Sequence, residues 1–110
     1  MDCSDFWLQK GMQCQVQGNI EAAMDYYKQG LRKHPLHHQL IYSLAICYSQ
    51  LKKYQSAIHW FSLGINLHPR WLDGLCGIAI IYFNMLNFPM ALKFITLAKD
   101  NSKGSFLTVS

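Results

Sequence analysis

Charged residues are scarce in this 110-residue chain, at 15% of its length, and they form no long run of one sign. The ten Lys and Arg residues give a net charge of +4, but they stand singly or in pairs, so no nucleic-acid partner is predicted. Hydrophobic residues make up 51% of the sequence, which is typical of one folded domain. With so little charged surface, we expect part of the apolar surface to contact another protein.

Long apolar runs are absent as well. The most apolar segment, residues 75–83, is far shorter than the roughly 20 residues that a membrane-spanning helix needs, so no membrane span is predicted. The opening residues 1–7 contain acid rather than base and no apolar stretch, so no signal peptide is predicted. We therefore expect a cytoplasmic protein, with the nucleus as the alternative compartment.

The sequence also lacks the motifs of catalysis and metal binding. Four cysteines stand far apart with no C-x-x-C pair, which favours reduced, packing residues: Cys3, Cys14, Cys47 and Cys76. His34, His37 and His38 lie close together, but their spacing matches no zinc template and suits a polar turn. No nucleophile motif or phosphate-binding loop is present. We predict no enzymatic activity, no cofactor and no metal.

What the sequence does contain is a fixed repeat period. Ala57 lies midway between Ala23 and Ala91, and Pro69 follows Pro35 at the same interval. A fixed period of this length indicates a repeat protein, in which each copy is one supersecondary unit.

Each period predicts two helices and a short turn, because apolar residues recur at helical spacing between turn-forming residues. The predicted helices cover residues 5–16, 21–33, 39–51, 55–67, 72–86 and 89–99. Pro35 and Pro69 end the first two periods, since proline cannot continue a helix. Asn87 is predicted to cap the last helix.

Two short motifs recur in these helices. The first helix of each pair carries Trp7-x2-Lys10-Gly11-x2-Cys14, Ile41-x2-Leu44-Ala45-x2-Tyr48 and Leu75-x2-Ile78-Ala79-x2-Tyr82. The second helix carries Ala23-x3-Tyr27, Ala57-x3-Phe61 and Ala91-x3-Ile95. These motifs resemble three tandem tetratricopeptide repeats (TPR) over about residues 4–103. Lys10 and Cys14 depart from the family pattern, which prefers Leu and Tyr at these positions. An end repeat tolerates such departures because one of its sides is solvated.

The resemblance implies an all-α fold, a superhelix (α-solenoid) of about six antiparallel helices. Small residues at the repeated Gly and Ala positions would let paired helices approach closely. A single domain is predicted over residues 1–103, with repeats at about 4–37, 38–71 and 72–103. Residues 104–110 are predicted to be a flexible tail.

The resemblance also implies a concave groove lined by the first helix of each repeat. Its apolar lining would be Leu8, Met12, Tyr42, Ile46, Cys76, Ile80 and Phe83. Its polar rim would be Asp5, Gln15, Gln39 and Asp73, and Ser49 would be a further lining position. We expect this groove to bind an apolar or amphipathic segment of a partner protein, because apolar burial supplies affinity without a charged anchor. The alternative is that some of these residues, Tyr42 and Phe83 especially, pack against neighbouring helices or against another segment of the same chain.

One branch of the family binds the C-terminal carboxylate of heat-shock chaperones through a clamp of Lys, Asn and Arg residues. The matching positions here are Leu8, Met12, Ser43, Asp73 and Gly77. None carries a clamp residue, and Asp73 would repel a carboxylate. A chaperone C-terminus is therefore not the expected partner.

The last predicted helix supports a second hypothesis. It carries a candidate assembly face consisting of Leu92, Phe94, Ile95 and Leu97. This face would meet another protein or a second copy of the chain, or Phe106, Leu107 and Val109 would fold back over it. A further alternative is that the chain is part of a longer repeat array. The predicted function is therefore a non-catalytic adaptor or scaffold, with a homo-oligomeric assembly subunit as the alternative.

Overall fold

A computed structural model describes the backbone of residues 3–109 and the side chains of residues 5–100. Within that range the chain forms α-helices joined by short turns, with no strand. The helices are α1 (Cys3–Val16), α2 (Ile20–Lys33), α3 (His38–Gln50), α4 (Tyr54–Leu67), α5 (Leu72–Asn84) and α6 (Phe88–Val109). The predicted all-α architecture of six helices is confirmed.

The turn inside each hairpin repeats with the sequence period. Gly18, Lys52 and Leu86 occupy the same position in successive repeats, and their φ angles are 84°, 61° and 63°. This left-handed conformation is easy for glycine but costs other residues roughly 1–2 kcal/mol. The surrounding helix pairs therefore impose the turn on Lys52 and Leu86.

Polar side chains satisfy backbone groups at several helix starts. Asn19 Oδ1 accepts a hydrogen bond from the Ala22 amide at 3.2 Å. Asn87 Oδ1 accepts one from the Met90 amide at 3.4 Å, so the predicted cap of the last helix is confirmed. Each bond pairs one of the amides that the first turn of a helix leaves without an intrahelical partner.

The last helix is longer than its sequence predicts. We expect its end near Lys99, whereas α6 continues to Val109. The physical reason is the absence of a proline: α2 and α4 end just before Pro35 and Pro69, and residue 103 is lysine. The predicted flexibility of residues 104–110 stays a prediction, and the side chains of Phe106, Leu107 and Val109 lie outside the described residues.

The core forms where one hairpin packs on the next. Helix α3 packs against α1 and α2, and α5 packs against α3 and α4. The first junction buries Ala23, Met24, Tyr27, Leu31, Leu40, Ile41, Leu44 and Cys47. The second junction buries Ala45, Ala57, Phe61, Ile78 and Ile81. Each hairpin thus buries its apolar face against a neighbour, as stacked repeats do.

Close packing within a hairpin depends on small residues. A Cβ atom added to Gly11 would overlap the ring of Tyr27, so glycine lets α1 approach this tyrosine. Between hairpins, Gly77 of α5 makes room in the same way for Phe61 of α4, whose Cζ would lie 2.6 Å from an added Cβ. The predicted role of small residues in close helix approach holds at Gly11, whereas the contact at Gly77 is not predicted from the sequence.

Candidate protein-binding site

Exposed apolar side chains concentrate in the third hairpin. Among residues 5–100, fourteen large hydrophobic side chains are exposed, and eight of these lie between Leu72 and Leu97. The eight are Leu72, Ile80, Phe83, Leu86, Phe88, Leu92, Ile95 and Leu97. An apolar surface of this density is typical of a protein-interaction site.

Part of this surface is concave and lies between the last two helices. We call it the α5/α6 groove, and it encloses about 550 Å³. Its lining consists of Leu72, Cys76, Ala79, Ile80, Phe83, Ile95, Ala98 and Lys99. Seven of the eight lining residues are apolar, and Lys99 supplies the single charged group. The groove therefore suits an apolar ligand surface better than a charged one.

A second concavity lies on the face shared by the first helices of the three repeats. This concave pocket encloses about 270 Å³, and its lining consists of Leu8, Met12, His38, Gln39, Tyr42, Ser43, Trp71 and Asp73. It is half the size of the α5/α6 groove and mixes polar with apolar groups. Asp73 is the one acidic group in its lining.

The apolar groove residues predicted from the sequence divide between these two sites. Leu8, Met12 and Tyr42 line the concave pocket. Cys76, Ile80 and Phe83 line the α5/α6 groove. Ile46 lines neither and packs, partly buried, against the second core cluster. Six of the seven predicted apolar lining residues thus line one of these two concavities, and their joint use by one ligand stays a prediction.

Tyr42 and Phe83 differ in how much they contact their own chain. The Tyr42 ring makes edge contacts with Phe61 at 5.7 Å and Trp71 at 6.0 Å between ring centroids. Phe83 contacts Phe88 edge-on at 5.6 Å but remains exposed. Tyr42 therefore has a packing role as well as a place in the concave pocket, whereas Phe83 presents its ring to solvent.

The four residues of the candidate assembly face also have different environments. Ile95 lines the α5/α6 groove. Phe94 is half-buried and stacks on Tyr82, with the ring centroids 5.7 Å apart and the planes at 9°. Leu92 and Leu97 are exposed on α6. Leu97 matches Leu63 and Gln29 in the repeat period, both also exposed, so this position faces solvent in every repeat.

Trp71 is one site residue that sequence reasoning missed. It lies just before α5, contacts His38 and Tyr42, and lines the concave pocket. A Cβ on Gly64 or Gly74 would overlap its ring, so these two glycines make room for the indole. The two glycines on either side of Trp71 are the sequence signal that points to a large ring packed between helices.

The buried ionisable groups lie at the first junction, away from the α5/α6 groove. Burial raises the pKa of Tyr27 to about 12, and burial also raises the pKa of the Cys47 thiol to about 11. The Tyr27 hydroxyl donates a hydrogen bond to Gln15 Oε1. Burial, with the charge of Asp73 as the second cause, raises the pKa of Tyr42. In the α5/α6 groove, by contrast, Cys76 is a free and exposed thiol.

The histidines do not form a metal site in the described structure. His38 and His68 approach edge-on, with ring centroids 5.3 Å apart. Across the described residues, no group of three or more metal-ligating side chains comes together. The same part of the chain contains no helix long and apolar enough to span a membrane.

Comparison with solved structures identifies the fold. MamA superposes with a TM-score of 0.87 at 16% identity, over 93% of this chain and 60% of the MamA chain. The Sgt2 TPR domain from Aspergillus fumigatus superposes with a TM-score of 0.87 at 17% identity, over 94% of this chain and 68% of that domain. The chain has the tetratricopeptide repeat fold. The fold that the sequence motifs imply is thereby confirmed.

A third structure with the TPR fold was solved with a ligand. The first TPR of Spaghetti (RPAP3), bound to the HSP90 peptide SRMEEVD, superposes with a TM-score of 0.83 at 21% identity. The superposition covers 89% of this chain and 78% of that one. No family model and no curated protein matches the sequence. At these identities the TPR structures show the fold of this chain alone. The chemistry of its ligand has to be inferred from its own surface.

Proposed function

We propose that this TPR domain is a non-catalytic interaction module, an adaptor or scaffold, that binds an apolar or amphipathic segment of a partner protein. The α5/α6 groove is the principal binding site, and the concave pocket on the first helices is a second candidate contact. The observation that carries the proposal is the groove's apolar lining, with Ile80 at 59% and Ile95 at 50% exposure. Such side chains gain free energy when a partner covers them.

The size of the groove sets the expected affinity. Each Leu, Ile or Phe side chain that a partner buries there contributes roughly 1.5–3 kcal/mol. Two or three such side chains must also offset the loss of rotational and translational freedom on association. We therefore expect weak binding, with a dissociation constant on the order of 0.1 mM or higher.

A chaperone C-terminal peptide does not fit this proposal, although one structure of the same fold binds the HSP90 peptide. Four of the five positions that match the carboxylate clamp line the concave pocket: Leu8, Met12, Ser43 and Asp73. The fifth, Gly77, is buried against Phe61. Asp73 gives the pocket a charge that repels a carboxylate. We propose a cytoplasmic or nuclear protein partner, without a nucleic acid, that contributes apolar side chains.

Selection from a peptide library tests the proposed function. A phage-displayed library of random 20-residue peptides is panned on the purified chain, and enriched peptides are synthesised with a fluorescent label. We expect Ile80→Asp to weaken binding at least about tenfold, because it places a charge in the apolar groove. Leu63→Asp is the control, since Leu63 is exposed on α4 and lines neither site.

Two outcomes of this selection would contradict the proposal. The first is that no peptide is enriched over an unrelated TPR domain. The second is that enriched peptides bind Ile80→Asp and the wild-type chain equally well. Circular dichroism of both variants confirms that they remain folded.

A homo-oligomeric assembly role is the second candidate function. The exposure of Leu92 and Ile95 on α6 favours it, because a second copy could cover both residues. Light scattering across a concentration series distinguishes the two roles, since self-assembly raises the mass above 12.7 kDa and binding of a different protein does not. Dissociation of such an assembly by Ile95→Asp would establish this second role.

A further inference from the structure

The environment of one position in the second helix changes along the repeats. Tyr27, Phe61 and Ile95 occupy this position in the first, second and third repeats. Tyr27 and Phe61 are each 0% exposed, whereas Ile95 is 50% exposed. The third repeat therefore exposes a site that the first two repeats bury.

In the first two repeats, the first helix of the next hairpin packs over this position and buries it. Tyr27 shares a buried cluster with Leu40, Leu44 and Cys47 of α3. Phe61 shares one with Ile78 and Ile81 of α5. We call these covered sites the α1/α2 groove, which contains Tyr27, and the α3/α4 groove, which contains Phe61. The α5/α6 groove is the third copy of the same helix-binding surface.

The two covering helices contact their grooves with the same spacing. Leu40, Leu44 and Cys47 follow one another at intervals of four and three, and Gly74, Ile78 and Ile81 repeat that pattern one period later. All of these residues are buried. Intervals of four and three place side chains on one face of an α-helix, so the ligand that fits this surface is helical.

A second copy of this chain, stacked head to tail, does not supply such a helix. The matching positions of α1 are Phe6, Lys10 and Gln13, and all three are exposed. Stacking would place the Lys10 ammonium where Leu44 and Ile78 are buried, and an unpaired buried charge is strongly unfavourable. Head-to-tail stacking of this chain therefore does not fill the groove, and a helix of a different protein is the favoured occupant.

The groove also indicates features of that helix. Lys99 lines the α5/α6 groove where the earlier repeats carry Leu31 and Ile65. The whole chain has a net charge of +4, which favours an acidic partner. Ala98 stands where the earlier repeats have Gly30 and Gly64, so its methyl group leaves less space beside it. A residue smaller than leucine suits that space, because a Cβ on Gly30 would lie 2.9 Å from Leu40 Cδ1 in the α1/α2 groove.

We propose that the α5/α6 groove binds an amphipathic α-helix of a partner protein in the pose that α3 and α5 adopt on the preceding hairpins. The helix carries a small residue followed by aliphatic residues four and seven positions later, and a carboxylate that pairs with Lys99. This inference rests on the proposed interaction function and specifies the partner's conformation and chemistry.

Peptides enriched on the wild-type chain provide the probe. The two tightest binders are synthesised with a fluorescent label, together with versions that carry proline at the central position. We expect the enriched peptides to carry aliphatic residues at intervals of four and three, with acidic residues beside them. Proline at the central position should weaken binding on the order of 100-fold, because proline disrupts a helix interior. Circular dichroism should show that the bound peptide becomes helical.

Variants of the protein locate the peptide. Ile95→Asp should weaken binding at least about tenfold, while Leu97→Asp, a matched change at an exposed site on the same helix, should leave it unchanged. Lys99→Glu should weaken binding about 2- to 5-fold, as expected for an exposed ion pair. Replacing the peptide's acidic residue with lysine should restore binding to Lys99→Glu.

The contradicting results separate the inference from the proposed function. Peptides that require Ile95 but tolerate proline would overturn the helical pose and leave the interaction function intact. A concentration-dependent dimer that Ile95→Asp dissociates would assign the groove to a second copy and overturn the inference. Peptides insensitive to Ile95→Asp but lost with Ile80→Asp would confine the ligand to the α5 wall of the groove and overturn the proposed pose. Failure to enrich any groove-dependent peptide would contradict the proposed function itself.

Discussion

The first and third hairpins share a sequence pattern and a helix–turn–helix backbone, but the environments of their second helices differ. Tyr27 of α2 lies under α3, whereas Ile95 of α6 lines an open groove. Among the described residues, α5 is the last helix that covers a preceding hairpin. Burial at a given repeat position is therefore set by the neighbouring hairpin as well as by the residue, as expected when each repeat contacts its nearest neighbours.

The largest expected effect comes from truncating the same position in a covered and an open groove. Phe61→Ala should lower the free energy of unfolding by about 3–5 kcal/mol, because it leaves a cavity under α5. Ile95→Ala should cost about 1 kcal/mol or less, because half of its side chain already contacts water. Urea denaturation monitored by circular dichroism measures both values. Equal losses of unfolding free energy would contradict the conclusion that α5 covers Phe61 while Ile95 lies in an open groove.

If Phe61→Ala is too unstable to purify, Phe61→Leu provides the same comparison at a smaller cost. We expect Phe61→Leu to lower the free energy of unfolding by about 1–2 kcal/mol, since most of the buried volume is retained. Phe61→Leu should still lower the free energy of unfolding more than Ile95→Ala does.

Alkaline pH should destabilise the covered groove through Tyr27. Burial raises the pKa of Tyr27 to about 12 in the folded chain from 10.0, so the folded state favours the protonated phenol. Its contribution to stability is complete below pH 10 and is lost as the pH rises towards 12. A shift of this size corresponds to about 2–3 kcal/mol. Denaturation midpoints measured between pH 9 and 12 should fall less steeply in Tyr27→Phe.

Cys47 should add to this loss at a lower pH. Its thiol pKa rises to about 11 from 9.0, so its contribution should decline between pH 9 and 11. The double variant Tyr27→Phe, Cys47→Ala should have the shallowest pH dependence. A wild-type slope retained in the double variant would contradict the assignment to these two buried groups.

Thiol labelling compares the covered and open grooves kinetically. Cys76 is exposed in the α5/α6 groove, whereas Cys47 is buried under α3. A thiol reagent should label Cys76 faster by a factor on the order of 100, because Cys47 requires local opening. Mass spectrometry of digested protein reports each site separately. A bound groove peptide should slow the labelling of Cys76 and leave that of Cys47 unchanged.

The smallest expected effect is at the turns, where the three repeats have the same geometry. Leu86→Gly should raise the free energy of unfolding by about 0.5–1 kcal/mol, because glycine adopts the positive φ of this turn without steric cost. Lys52→Gly is the matched change in the second repeat and should have a similar effect. Gly18→Ala should be destabilising. A loss of stability in both glycine variants would indicate that these turns do not share one conformation.

Much of the fold follows from the sequence, because the interactions that define a hairpin are local. Glycine, asparagine and proline mark the turns, and small residues mark the close contacts between paired helices. The sequence predicts the end of α6 too early, because the composition after Lys99 favours a tail. Residue 103 is not proline, however, so nothing at this position of the repeat prevents the helix from continuing.

The candidate site is less predictable, since its properties depend on contacts between hairpins. Periodicity assigns Ile95 and Phe61 the same role, but only packing distinguishes the open groove from the covered one. Leu72, Ala98 and Lys99 line the α5/α6 groove without any sequence motif of their own. The repeat register would have indicated the last two, because Gly64 and Ile65 occupy the matching positions of the covered groove.

The most direct test of the account is the solution mass of the chain with and without a selected groove peptide. Light scattering after size exclusion should give 12.7 kDa at all concentrations, since Lys10 disfavours head-to-tail stacking. Addition of the peptide should raise the mass by one peptide per chain in the wild type and in Leu97→Asp, but not in Ile95→Asp. A dimer in the absence of peptide, dissociated by Ile95→Asp, would show instead that a second copy of the chain fills the α5/α6 groove.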